Sequence, residues 1–208
     1  MSIDSLPGLT DELRTRVGEV LARQVEYADA AICVDGADQT AHELLTAMIR
    51  PGARVHTQAF GPSGADLLNT RHDTDRSGAW TATVRREPLP PHTGRRVWRL
   101  DLQSDRPLHP ERFMAEIEAL GSGRHLSRGC FWLASRPHQV GAWEGSGGHL
   151  RIGVVDEWND DAPLNRLVLI GDWSDLDVNQ LAIRFHRCLL TEAELTEHSW
   201  QRTEDGFE

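Results

Sequence analysis

The chain contains no lysine; its 22 basic side chains are all arginine. Schiff-base catalysis is thereby excluded. So is a phosphate-binding loop of the usual kind, which needs a lysine ammonium reaching the β- and γ-phosphates after a glycine-rich turn. No GxxxxGK[ST] occurs, so the chain by itself is expected to be no enzyme and not to hydrolyse a nucleotide. Cysteine is sparse as well. Cys33, Cys130 and Cys188 form neither a paired framework nor a CxxC, which points to buried or free thiols in a reducing cytoplasm. No apolar run approaches the ~20 residues of a membrane span, and no basic-then-apolar signal opens the sequence, so a cytoplasmic protein is expected. A net charge of −10 opposes direct nucleic-acid or anionic-membrane binding, because both need a basic face.

What remains fits a globular chain of 208 residues, 39% hydrophobic. From about Thr10 to Tyr27, Leu13, Val17, Val20, Leu21 and Val25 form the stripe of an amphipathic helix. Ala30 to Val34 suits a buried strand. Gln39 to Ile49 returns to helical spacing and stops at Pro51-Gly52, and Arg54 to His56 suits another short strand. This αβαβ order predicts a fragment of parallel α/β architecture, too small to cover its own sheet. Residues 59–95 lose periodicity under Gly61, Pro62, Gly64, Pro88, Pro90 and Pro91, and read as a linker with one brief strand near Trp80 to Val84.

The second half is better patterned. Val97 to Leu102 alternates as a half-buried strand. His109-Pro110-Glu111 opens a helix with an apolar stripe of Phe113, Met114, Ile117 and Leu120. Cys130 to Ala134, His149 to Val155 and Leu167 to Ile170 read as strands, and about Asp175 to Leu190 as a helix burying Val178, Leu181, Phe185 and Leu189. Thr191 with Glu194 has the spacing of a capping box. The expected fold class is α+β: a β-α-β-β-β-α domain with its helices on one sheet face and its first two strands parallel, preceded by the partial α/β fragment. The boundaries are 1–58 for the fragment, 59–95 for the linker, 96–200 for the domain and 201–208 for a tail.

Four blocks in the second half carry a family signal: Pro107-Leu108-His109-Pro110-Glu111-Arg112-Phe113; Arg128-Gly129-Cys130-Phe131-Trp132-Leu133-Ala134-Ser135-Arg136-Pro137; Trp143 through Gly147-Gly148-His149-Leu150-Arg151-Ile152; and Cys188-Leu189-Leu190-Thr191-Glu192-Ala193-Glu194-Leu195. Arg166 through Gly171 adds an "R..LVFIG"-like run. In this order they resemble the C-terminal domain of CobW-type proteins, P-loop GTPases linked to metal delivery. Gln24-Val25-Glu26-Tyr27-Ala28-Asp29 resembles the segment ahead of the guanine-recognition strand in the same family. Where the family would have Asn-Lys-x-Asp, this chain has Asp35-Gly36-Ala37-Asp38, and only Asp38 matches. The resemblance thus makes residues 1–58 a degenerate tail of a GTPase domain, with Asp38 as its cofactor-binding remnant.

The resemblance implies a role in metal homeostasis, with zinc as the metal to weigh. No cofactor is otherwise expected, and the candidate ligands are His72, Asp73 and His92. No HxH, HxxxH or CxxC brings donors together, so isolated surface histidines are the default. His109 reads as a cap or turn residue and Cys130 as an inert buried thiol. Arg128 and Arg136 read as strand ends. Trp98 and Trp132 fit core positions, whereas Trp143, Trp158 and Trp173 sit near turns and read as partly exposed interface anchors. Two functions are expected from this. One is a non-catalytic interaction module whose partner is a second copy, a separate GTPase domain, a metalloprotein client or a ribosome-associated factor. The other is the C-terminal part of a GTP-dependent metallochaperone whose phosphate-loop half lies elsewhere.

Overall fold

The computed structural model describes residues 11–34, 38–57, 61–65, 71–173 and 178–197, with backbone alone for 11–17. The side chains of Leu13 and Val17, the Asp35-Gly36-Ala37 stretch, the expected helix start at Asp175 and the expected tail lie outside what it describes. Contacts divide the chain into two units, residues 1–99 with 170–173, and residues 100–169 with 174–208.

In the first unit the order is α1 (Asp11–Tyr27), β1 (Ala30–Cys33), α2 (Gln39–Met48), β2 (Arg54–Thr57) and α3 (Thr74–Thr81). β1 and β2 pair in parallel, Ala30 opposite Arg54 and Cys33 opposite Thr57. The connection is α2, whose first turn is closed by Asp38: its carboxylate accepts the Ala41 N–H at 2.9 Å. Ala47, Met48 and Ile49 are buried at its other end. The α1 stripe is only partly used, since Val20 and Leu21 remain exposed.

Residues 74–81 correct the expected strand near Trp80. Asp73 accepts the Arg76 N–H at 3.0 Å and starts a helix instead. Trp80 is buried, donates its indole N–H to the Met48 carbonyl at 2.9 Å and lies 4.2 Å from the Arg85 guanidinium carbon. In the sequence the aromatic gives a strand signal, and Gly78 hides the helical period. The segment leading into Val97 is tied down too. The Glu43 carboxylate accepts from the Arg96 and Val97 N–H groups at 2.7 and 3.3 Å, and His92 Nε2 donates to the Val97 carbonyl at 2.7 Å.

The remaining elements are β3 (Val97–Ser104), α4 (Pro110–Gly121), β4 (His125–Phe131), β5 (Gln139–Ser146), β6 (His149–Glu157), β7 (Asn165–Asp172), α5 (Val178–Cys188) and α6 (Glu192–Glu197). They form a mixed helix-and-sheet arrangement around one antiparallel five-stranded sheet of order β3-β7-β4-β5-β6. β3 and β4, the first two strands, run parallel as expected, but β7 is inserted between them. Phe113 of α4 anchors the core, its ring 5.0 Å from Phe131 and 5.8 Å from Trp143. Leu120, Leu181, Phe185 and Leu190 complete it.

The sheet has one strand more than the sequence pattern predicts. β5 is hidden in the pattern because Gly141 and Gly145 look like turn residues. Gly141 is instead the place where Phe131 packs: a Cβ there would lie 2.3 Å from that ring. β4 also begins earlier than expected and ends at Phe131, because residues 132–134 turn away to pair with Leu108. Trp143, expected near a turn, is in β5 and fully buried. Trp158 is buried as well, while Trp132 is only half-buried. Trp173, at 58% exposure, matches its expectation. Met114, placed on the α4 stripe, is exposed.

At Gly129 in β4 the main chain of Arg166 in β7 comes close. The glycine φ is +153°, and an added Cβ would stand 1.8 Å from the Arg166 carbonyl oxygen. Gly129→Ala is therefore expected to lower unfolding stability by at least ~2 kcal/mol in urea titrations. Gly78→Ala, in a helix with open space around it, is expected to raise stability by ~0.5–1 kcal/mol.

Candidate functional site

Three of the four family blocks converge on one place. The segment Pro107–His109 runs extended between the end of β4 and the end of α5. Leu108 donates its N–H to the Trp132 carbonyl at 2.8 Å and accepts from Ala134 at 3.0 Å. On the other side His109 donates to the Cys188 carbonyl at 2.7 Å, and the Pro107 carbonyl accepts from Leu190 at 2.9 Å. Leu108 itself is fully buried. Three signature blocks are thus joined through main-chain hydrogen bonds, the first running between the other two.

Charged side chains reinforce this joint. Arg112, in the first turn of α4, grips Glu194 with two nitrogens at 2.7 and 2.8 Å and the Leu189 carbonyl at 3.0 Å. Glu194 also accepts from the Thr191 N–H at 2.8 Å, and its own N–H points to Thr191 Oγ1 at 3.3 Å, which is the expected capping box. Hydrogen bonds from Arg112 hold the Glu194 carboxyl down to about 2, against its ordinary value of 4.5. The same contact raises the Arg112 guanidinium above its usual range.

Asn165 is completely buried. Its carbonyl accepts the Trp132 N–H at 2.7 Å and its amide donates to the Arg106 carbonyl at 2.6 Å. Arg106 in turn donates to the Leu190 carbonyl at 3.2 Å. Arg166, only 2% exposed, binds Asp101 in bidentate fashion at 2.9 and 2.7 Å. Chemically this arrangement braces. Its polar atoms face one another rather than a cleft.

The fold places the residues singled out in the sequence at distinct points. His109 is the α4 N-cap without a side-chain cap bond, and its Nδ1 is buried with no hydrogen-bond partner. Cys130 is buried with its thiol toward the Leu164 carbonyl at 3.4 Å. Burial pushes the Cys188 thiol up to about 12, so Cys188 supplies no thiolate at neutral pH. Arg128 lies inside β4 rather than at its end, and Arg136 sits in the turn before β5; both are half-buried.

Asp38 and Asp73 are spent as helix caps, and His92 is engaged with Val97. His72 joins a cluster that sequence reasoning does not single out. Its Nδ1 is 2.9 Å from Asp29, its ring is 4.9 Å from that of Tyr27, and Asp29 also pairs with Arg50. Burial pushes the Asp29 carboxyl up, but hydrogen bonds from His72 and Arg50 outweigh it and leave the carboxyl below its ordinary value. This cluster borders an open cleft of about 650 Å³ along Val20, Gln24 and Tyr27. In the sequence Tyr27 and Asp29 fall in the Gln24–Asp29 block and His72 among the candidate ligands, but no local pattern joins them to Arg50. Among the described residues no three His, Cys, Asp or Glu side chains converge on a point that could hold a metal ion, and His72, Asp73 and His92 do not fit a zinc donor set.

Residues 97–189 match the family described as the cobalamin synthesis protein cobW C-terminal domain. This segment is similar to CobW C-terminal domains. A zinc chaperone of Mycobacterium tuberculosis is 39% identical over 59 residues, which are 28% of this chain and 15% of that protein; an uncharacterized Mycobacterium bovis protein matches equally. The Zn(II)-bound YjiA GTPase from E. coli, a solved structure, is 17% identical; the match covers 86% of this chain and 57% of that one, with a TM-score of 0.47. A triple mutant of YjiA has a TM-score of 0.48 with the same coverage. The chain therefore spans well under two thirds of these relatives. The braced joint of Leu108, Arg112 and Glu194 lies in or directly after the matched CobW segment.

Because the Glu194 carboxyl is depressed in the fold, the stability it contributes is complete above pH 4.5 and is lost as pH falls toward 2. Glu194→Gln is expected to lower the urea midpoint at pH 7 and to flatten the acid limb between pH 4.5 and 2. An acid limb of unchanged slope would contradict this assignment.

Proposed function

We propose that the chain is a non-catalytic protein-interaction module acting in metal homeostasis, with zinc as the cargo metal of its partner. One observation carries this reading: charged residues of the signature blocks, with Asn165 beside them, are occupied in internal braces. Arg112 is held by Glu194 and Leu189, Asn165 by Trp132 and Arg106, and Arg166 by Asp101. Side chains arranged this way build a rigid body whose outer surface is what a partner meets. The relative named a zinc chaperone supports the choice of metal. Among the described residues no helix is long and apolar enough to cross a membrane. Three buried cysteines, none in a disulfide, favour the cytoplasm as the place of action.

A second reading has its own support. A two-stranded parallel sheet is too small to stand alone, and parallel sheets normally have both faces covered. In this chain Ile32 and Val34 are exposed at β1. A separately supplied GTPase half docking there would make the chain part of a GTP-dependent metallochaperone.

Two measurements test these readings. A deletion strain of the source organism is expected to grow more slowly than its parent under zinc chelation, and equally well in zinc-replete medium. Loss of the difference would overturn the metal role. The purified chain is expected to show no saturable binding of a fluorescent GTP analogue. Saturable binding, or GTP hydrolysis by the chain alone, would overturn the non-catalytic reading.

A further inference from the structure

We propose that β6 is a self-pairing edge: two copies of the chain associate by antiparallel β6–β6 addition, joining two five-stranded sheets into one of ten strands. The proposal deepens the interaction reading by naming the surface and the partner. β6 is the last strand in the order β3-β7-β4-β5-β6 and, at nine residues, the longest; its named pairing is with β5. A strand in that position offers its outer row of main-chain N–H and C=O groups to whatever can pair with them.

Edges of this length usually carry protection against pairing: lysines, a proline, an inward charge or a bulge. Between His149 and Glu157 there is no proline and, as throughout the chain, no lysine. One irregularity is present, a register shift at Val140/Gly141 that leaves Val155 extra on β6. It presents apolar surface rather than hiding it: Val154 is 47% and Val155 57% exposed on consecutive positions. Two exposed β-branched residues on the last strand of the sheet suit cross-strand packing.

Charge selects the occupant. The strand begins His149-Leu150-Arg151 and ends Asp156-Glu157, so its basic residues lie at one end and its acidic residues at the other. A parallel neighbour of the same sequence would set like charges side by side. An antiparallel copy sets opposite charges together, because a two-fold axis reverses the order. Centred on Gly153, where an added Cβ would meet nothing within 4 Å, such a pair puts Ile152 opposite Val154 and His149 opposite Glu157. Arg151, 69% exposed beyond its pair with Glu144, then reaches Glu157 of the second copy along the diagonal. The strand is its own complement, and an isologous two-fold contact is the commonest way for a chain to use such a surface.

Sedimentation velocity on the full chain, from about 1 μM to about 100 μM, tests this. Wild type is expected to move from the 23.3 kDa species toward twice that mass as concentration rises. Val154→Lys, at an exposed position, is expected to weaken the association at least tenfold with an unchanged circular dichroism spectrum. Arg151→Glu and Glu157→Arg, each alone, bring like charges together at both diagonals and are expected to stay monomeric. Mixed in equal amounts they restore both attractive diagonals and are expected to form a heterodimer. A wild type that stays monomeric throughout, a dimer indifferent to Val154→Lys, or a mixture that fails to recover overturns the proposal. None of these outcomes bears on zinc-dependent growth or GTP binding, so failure here is distinct from failure of the proposed function.

Discussion

The fold of the second unit depends on the three main-chain segments that meet at Leu108. A buried extended segment must place its N–H and C=O groups against partners, because each one left unmade costs ~1–3 kcal/mol. Pro107 to His109 does so in two directions at once, toward Trp132 and Ala134 on one side and toward Cys188 and Leu190 on the other. Residues more than fifty positions apart are thereby locked in register before any side chain is considered. The side-chain braces then act on a joint that is already closed. Arg112 and Asn165 satisfy carbonyls and N–H groups that the crossing leaves over at Leu189, Arg106 and Trp132.

Charge is handled differently at the two principal braces. The Arg112–Glu194 pair is partly open to solvent and holds a helix start, so its value is geometric and it titrates. Arg166 is almost wholly buried, and its guanidinium is matched in bidentate fashion by Asp101. Removing one partner of such a pair leaves a buried charge unpaired, which costs more than the pair contributes. An all-arginine chain suits this architecture, because the planar fork meets several acceptors where a lysine ammonium acts as a point charge.

Much of this is legible in the residues. Pro110 after His109 marks the start of α4, Thr191 with Glu194 marks the capping box, and the alternation of Val97 to Leu102 marks β3. The four signature blocks are visible as blocks, but not that three of them touch, since contact between Pro107 and Leu190 is a property of the fold. β5 escapes a pattern reading because its glycines serve a neighbouring ring, Phe131, rather than a turn. The α3 helix escapes because an N-cap and a single buried tryptophan decide it, with no apolar period to read. Trp143 and Trp158 mislead in a related way: proximity to a turn in sequence says little about burial once a strand passes through. The Asp29–His72–Arg50 cluster joins residues 21 and 43 positions apart, beyond the reach of any local pattern.

The close approach at Gly129 has a consequence for how the sheet assembles. A strand that slides by one residue against its neighbour exchanges its two faces, and a folding chain samples such offsets. A side chain at this one position would stand where the Arg166 carbonyl now meets a bare Cα. The glycine thus works as a keyway, letting the main chain of β7 pass close beside β4.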